Sequence, residues 1–219
     1  MPLSGVYEWT GGSEQWLHYG SGHQIQIVII EPLFEEKNRC RRMINDIMRA
    51  LDRSAIGSIM PDLPGTGESL TDIADVEFAD WQAAIEAATN ACDAIAIASF
   101  RGGALLDSFG NLPVWRLAPE TGARIIRDLR RTQRAGASGD DGSLAGHKLS
   151  PNMATAIERA NFSEGSGVRT VRLTSDILPG DCHIEGTPLW RRAEPGDDLA
   201  MADAIAADLI DWVQLCANH

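Results

Sequence analysis

The chain has 219 residues, 44% hydrophobic and 23% charged, with 31 acidic against 19 basic residues and a formal net charge of −12. That length can bury a core without metal or disulfide staples, and the composition excludes disorder as the main state. The acidic balance opposes non-specific binding to nucleic acid or anionic lipid, and no apolar stretch approaches the length of about eighteen residues that a membrane span requires.

Val6–Trp9 and Gln15–Tyr19 flank Thr10-Gly11-Gly12-Ser13, the pattern of a β-hairpin. His23 to Ile30 follows as a nearly continuous apolar run, the signature of a strand buried on both faces. Asn38 to Leu51 places Met43, Ile44, Ile47, Met48 and Leu51 at helical spacing, and Ile56 to Met60 is a short strand ended by Pro61. A helix over Phe78–Ala91, a strand over Ala94–Ala98, a helix over Gly102–Phe109 and a strand over Val114–Leu117 continue the alternation. Such a rhythm predicts an α/β fold: a mostly parallel, doubly wound sheet with its ligand site at the carboxyl ends of the strands.

From Glu120 to Arg134 the pattern is an arginine-studded helix, Ala135–Gly142 is a turn-rich break, and Pro151–Ala160 is a short helix. These interrupt the rhythm before strands at Val168–Leu173 and Asp181–Ile184 and a closing helix over Leu199–Cys216. We therefore expect a single domain over 1–219, with a helical insertion at about 120–162 acting as a reduced lid. Six arginines between 116 and 134 against two acids make that stretch a candidate partner surface, whereas Arg41 and Arg42 read as solvated or salt-bridged. Cys40, Cys92, Cys182 and Cys216 form no CxxC pair and read as reduced, packed thiols. Met1–Gly5 opens no basic-then-apolar leader, so the expected location is the cytoplasm, with no metal and no cofactor.

The chemically informative stretch is Ile97-Ala98-Ser99-Phe100-Arg101-Gly102-Gly103-Ala104. A strand entering a small-residue turn that opens a helix is the nucleophile elbow of the α/β-hydrolase fold, which needs small residues two before and two after its tip. With Ser99 at the tip the flanks would be Ile97 and Arg101, both too large. With Arg101 at the tip they are Ser99 and Gly103, which fit. An arginine stays protonated and has no lone pair with which to attack, so covalent acyl transfer is not expected.

Pro32-Leu33-Phe34-Glu35-Glu36-Lys37-Asn38-Arg39-Cys40-Arg41-Arg42-Met43 and Asp62-Leu63-Pro64-Gly65-Thr66-Gly67-Glu68-Ser69 follow the first two buried strands. Together with Ser99–Leu106, Trp115, Leu144–Pro151 and Gly186-Thr187-Pro188-Leu189-Trp190, they resemble the α/β-hydrolase-like proteins encoded beside exosortase A, in the branch known as the second exosortase A system-associated hydrolase. The resemblance runs from about residue 23 to residue 213, with a shorter insertion around 135–142. It implies an α/β-hydrolase fold, Arg at the nucleophile position, and a protein partner in the exosortase and exopolysaccharide system.

Chain order places the triad acid near Asp176, but the turn after the last strand, Gly186–Trp190, holds no histidine. His183 and His147 read as structural or solvent-facing. Asp62–Gly67 lacks phosphate-loop spacing and reads as a turn. Leu33, Phe34, Glu35 and Glu36 occupy the loop that supplies half of an oxyanion hole, the other half coming from the Gly102 amide. Those residues with Arg101 form the candidate contact set for a small anionic ligand such as a carboxylate or phosphate, and Glu35 or Glu36 is the expected ion-pair partner of Arg101, ahead of Asp176. The reading is a non-hydrolysing accessory or anion-binding protein. Its alternatives are a serine esterase, thioesterase or acyl transferase using Ser99, or Cys40, in a non-standard geometry, and a structural interaction domain without a ligand.

Overall fold

The computed structural model describes residues 2–135 and 143–218. The turn-rich segment, Ala135 apart, lies outside the described residues. Strands β1 (Leu3–Trp9) and β2 (Gly12–Tyr19) form the expected hairpin, and β2 also pairs antiparallel with β4 (Ile56–Pro61). From there β3 (Ile25–Ile30), β5 (Ala96–Phe100), β6 (Val114–Leu117), β7 (Val168–Leu173) and β8 (Cys182–Ile184) extend the sheet in parallel. The spatial order is β1-β2-β4-β3-β5-β6-β7-β8.

Side chains on successive strand residues point to opposite faces, so each central strand feeds two cores. Ile27, Ile29, Ala96, Ala98, Trp115 and Leu117 meet helices α1 (Glu35–Arg53) and α5 (Leu199–Ala217). Val28, Ile30, Ile97 and Val114 meet α2 (Phe78–Ala91), α3 (Gly122–Ala135) and α4 (Pro151–Arg159) on the other face. The apolar stripe of α1, Met43-Ile44-Ile47-Met48-Leu51, is fully covered, and so is the α5 stripe of Met201, Ile205, Leu209 and Val213. This double coverage is why β3 reads as continuous apolar sequence rather than as an alternation.

The structure corrects the sequence expectation at two places around the elbow. The strand starts at Ala96, not Ala94, and runs through Phe100, so Arg101 stands directly at its carboxyl end. The expected helix over 102–109 is only a 3₁₀ turn, Arg101–Leu106. Two adjacent glycines are poor helix formers. In addition Asp107 leaves the turn to reach back beneath it, where its carboxylate accepts from Ser99 and Arg116. The segment between β6 and β7 carries α3 and α4, packed on each other through Ile126, Leu129, Met153 and Ile157.

Gly103 seats the turn against the end of β3. A Cβ added there would lie 2.5 Å from the Glu31 carbonyl oxygen and 2.7 Å from that of Ile30, whereas one added at Gly22 meets nothing within 4 Å. Gly103→Val should therefore cost at least the upper end of about 1–3 kcal/mol, lowering Tm by about 5–10 °C, while Gly22→Val leaves it nearly unchanged. Thermal unfolding of the two variants side by side checks this; equal melting temperatures would refute the seating.

Candidate functional site

Arg101 adopts φ 54, a left-handed conformation that costs an L-residue roughly 1–2 kcal/mol and is the backbone hallmark of the elbow. The strain persists because the side chain is held on every side. Nε donates to Glu36 Oε2 at 3.1 Å and Nη2 to Glu36 Oε1 at 3.1 Å, a two-pronged pairing. Nη2 also reaches Glu120 Oε2 at 3.2 Å, Nη1 donates to the Ala118 carbonyl at 2.8 Å, and the Trp190 ring lies 4.9 Å from Cζ. Burial alone would lower the guanidinium's pKa, but Glu36 and Glu120 outweigh it and the net direction is up. The group is a fixed cation neutralised by two carboxylates.

Each partner is delivered by a different segment. Glu36 sits in the first turn of α1, where a carboxylate is also favoured by the helix dipole. Ala118 and Glu120 follow β6, and the Glu120 amide donates to the Arg101 carbonyl. Trp190 lies in a short 3₁₀ turn after β8, its carbonyl held by Arg39 of α1. Of the expected partners, Glu36 is in place. Glu35 is instead half-exposed and 4.0 Å from His147, and Asp176 pairs with Arg172 at 2.9 Å, accepts the Leu178 amide and is thereby held below the usual carboxylate range despite partial burial. Nothing in the arginine-rich stretch marks Glu120 from a solvated acid, so the sequence alone does not point to it.

A Cβ at Gly102 would lie 2.7 Å from Ile125 Cδ1 and 3.3 Å from Leu33 Cγ, so both residues crowd the space next to it. Beneath the tip, Ser99 is wholly buried, and its hydroxyl donates to Asp107 Oδ2 at 2.6 Å. Asp107 in turn takes Nε and Nη2 of Arg116 at 2.8 and 2.7 Å. The register dictates this: Ser99 and Arg116 are partners across β5 and β6 and face the α3 side together. Arg116, the first of the six arginines, is therefore buried rather than part of a surface. Cys40 is also buried, its thiol pushed up to about 12 by desolvation first and by Glu36 second. His183 is exposed beside the Leu178 carbonyl.

One strand away from Arg101, a cavity of about 250 Å³ opens between the loops that follow β3 and β4. Its wall includes Glu31, Leu33, Phe34, Lys37, Trp81 and His147, and neither Arg101 nor Gly102 lines it. Lys37 Nζ bridges Glu31 at 3.1 Å and Asp62 at 2.8 Å. Burial holds the Glu31 carboxyl above its usual range in spite of Lys37. His147, expected to be structural or solvent-facing, lies against Phe34 with ring centroids 4.9 Å apart, and burial lowers its pKa. The sequence signals for this cavity were a carboxylate directly ending an apolar strand and a histidine flanked by Leu144 and Leu149.

No family model matches the sequence, and no curated protein does either. Among solved structures, the chain is similar to an AqdC variant described in recognition and ring-cleavage of the Pseudomonas quinolone signal, with a TM-score of 0.64, 12% identity and coverage of 97% and 99% of the two chains. It is also similar to a Streptococcus mutans protein (TM-score 0.57, 15% identity, all of both chains). A third is an Agrobacterium tumefaciens protein placed among the α/β hydrolases (TM-score 0.56, 9% identity, 99% and 97% coverage). The strand order, the left-handed elbow and these likenesses define the chain as an α/β-hydrolase-fold protein. Among the described residues, no helix is long and apolar enough to cross a membrane.

Two outcomes follow from this geometry. Arg101→Met leaves Glu36 without its cation and Glu120 with only the half-exposed Arg124 at 3.2 Å, and should cost about 3–5 kcal/mol in chemical denaturation. Arg130→Met, whose ion pair with Glu158 is exposed, should change stability little. Similar losses in the two variants would refute the clamp. The folded chain holds His147 neutral at a pH where the unfolded chain, with an ordinary value near 6.5, takes up a proton. The unfolded state then binds more protons, so stability falls as pH drops from about 6.5 toward the lowered folded value, and His147→Gln flattens that part of the curve. Denaturation midpoints between pH 7 and pH 5 check the difference.

Proposed function

We propose that this chain is a non-hydrolysing member of the α/β-hydrolase fold, acting as a binding or accessory protein of the exosortase A and exopolysaccharide system. The observation that carries the first half is the occupant of the elbow. Position 101 keeps the strained backbone of a nucleophile but holds a guanidinium, and that guanidinium is tied to two carboxylates, a carbonyl and a ring. Ser99 lies below the tip with its hydroxyl bonded to Asp107, a carboxylate already committed to Arg116, and Cys40 is a buried high-pKa thiol. Among the described residues no histidine hydrogen-bonds to either, and the carboxylate that Ser99 meets is held by Arg116.

Support for the second half is the motif resemblance, and its motifs meet in space. Glu36 comes from PLFEEKN, Arg101 from SFRGG and Trp190 from GTPLW, and all three join at one guanidinium. An anionic ligand at Arg101 must first displace Glu36, the more exposed of its two carboxylates. In this reading Arg101 primarily fixes the carboxyl edge of the sheet, and anion binding is a mode opened by release of Glu36.

The test is activity-based labelling with a fluorophosphonate together with hydrolysis of a short-chain nitrophenyl ester and an acyl thioester. We expect neither label nor turnover above background in the wild type. Labelling lost on Ser99→Ala, or turnover lost with it, would overturn the reading in favour of a serine hydrolase of unusual geometry.

A further inference from the structure

The cavity beside the elbow has no role in the clamp, yet it has the features of a small-molecule site. Among the described residues five buried side-chain polar atoms lack a hydrogen-bond partner, and two of them, Glu31 Oε2 and His147 Nε2, belong to residues lining this one cavity. Native proteins leave few such atoms unpaired, because each costs its full desolvation. Their coincidence on one wall points to a partner that arrives from outside the chain. Both atoms are covered by protein, but the last torsions of glutamate and histidine are broad, so a small rotation turns either atom toward a guest.

The chemistry of the wall selects the guest. Phe34 packs against His147 and lies 6.0 Å from Trp81 between ring centroids, and Leu33, Leu63 and Ile85 complete an apolar surface. Lys37 is the cation beside Glu31, and it is already shared between Glu31 and Asp62, so two carboxylates face one ammonium and the buried cluster is acceptor-rich. Arg41 reaches the rim but is exposed. A volume of about 250 Å³ lies just below the usual range of ligand pockets and suits one ring with a short side chain. We propose that this cavity binds a small aromatic molecule carrying one ammonium or N–H donor, with the donor on Glu31, the ring against Phe34 and Trp81, and His147 at the contact.

This deepens the accessory reading by naming a ligand class, and the two fail separately. Ester turnover would sink the non-hydrolytic reading and leave amine binding standing, while absence of amine binding leaves the Arg101 clamp untouched. The probes are phenethylamine and 3-phenylpropionate, matched in ring and chain length and opposite in charge, titrated by NMR and calorimetry against the full chain. The expected result is saturable binding of phenethylamine, at least about tenfold tighter than 3-phenylpropionate, with selective movement of the His147 ring signals relative to those of His18, His23 and His183. Glu31→Gln, which keeps the shape and an acceptor for Lys37, should weaken phenethylamine at least about tenfold. If that variant does not fold, the amine-against-carboxylate comparison and the His147 signals in the wild type decide alone. Equal or tighter binding of the carboxylate, no binding of phenethylamine, unmoved His147 signals at saturation, or unchanged affinity in folded Glu31→Gln would each overturn the proposal.

Discussion

A charge removed from water must be answered by other charges, and the carboxyl edge of this sheet is organised around one such charge. The Arg101 guanidinium stands at the end of β5, nine-tenths covered, and its neutralisation requires α1, the residues after β6 and the turn after β8 to arrive at fixed positions. Removing a partner from a buried pair is far more costly than the pair is worth. The clamp is thus better understood as a specification of geometry than as a source of net stability. It sets where the α1 entrance stands relative to the elbow, and with it the mouth of the neighbouring cavity, whose Leu33, Phe34 and Lys37 lie on the same loop and helix turn as Glu36.

A second buried ion pair, Asp107 with Arg116, works one layer below the first. It terminates the 3₁₀ turn, holds Ser99 by its hydroxyl and joins β5 to β6 through side chains as well as through the backbone ladder. Arg116 also donates to the Ser163 carbonyl and stacks on Phe162, tying the end of the β6–β7 segment to the sheet. On the opposite face Asp208 of α5 does related work, accepting from Trp115 and Arg169. These ion pairs join different elements, so each specifies a docking rather than a local turn.

The sheet, the helices and the elbow register were legible in the sequence, because each rests on local pattern: apolar runs, helical spacing, and the steric need for small residues at 99 and 103. Glu36 was legible as a partner because two carboxylates leave a neighbouring strand at the same edge. Glu120, the Asp107–Arg116 pair and the Glu31–His147 cavity were not. Their meaning lies in which distant segments share an edge, and Arg116 in particular counts with the basic stretch that follows it until the alternation of β6 turns it inward. The helix after the elbow failed for a related reason, since Asp107 answers to a strand rather than to its own turn.

The reach of the clamp along the chain has a consequence for the route to the folded state. Arg101 meets partners 65 positions before it and 19 positions after it. Contacts at such separations are rewarded only after the entropy of closing the intervening chain has been met. The clamp is therefore expected to form in the last part of assembly, and interactions absent from the folding transition state act on the rate of unfolding rather than on the rate of folding. A stopped-flow comparison of the wild type with Arg101→Met reads this directly, an unchanged refolding limb beside a steepened loss of the native state being its signature and slowed refolding its contradiction. On this expectation Arg101 serves as a latch, contributing little to how quickly the chain finds its fold and much to how long it keeps it.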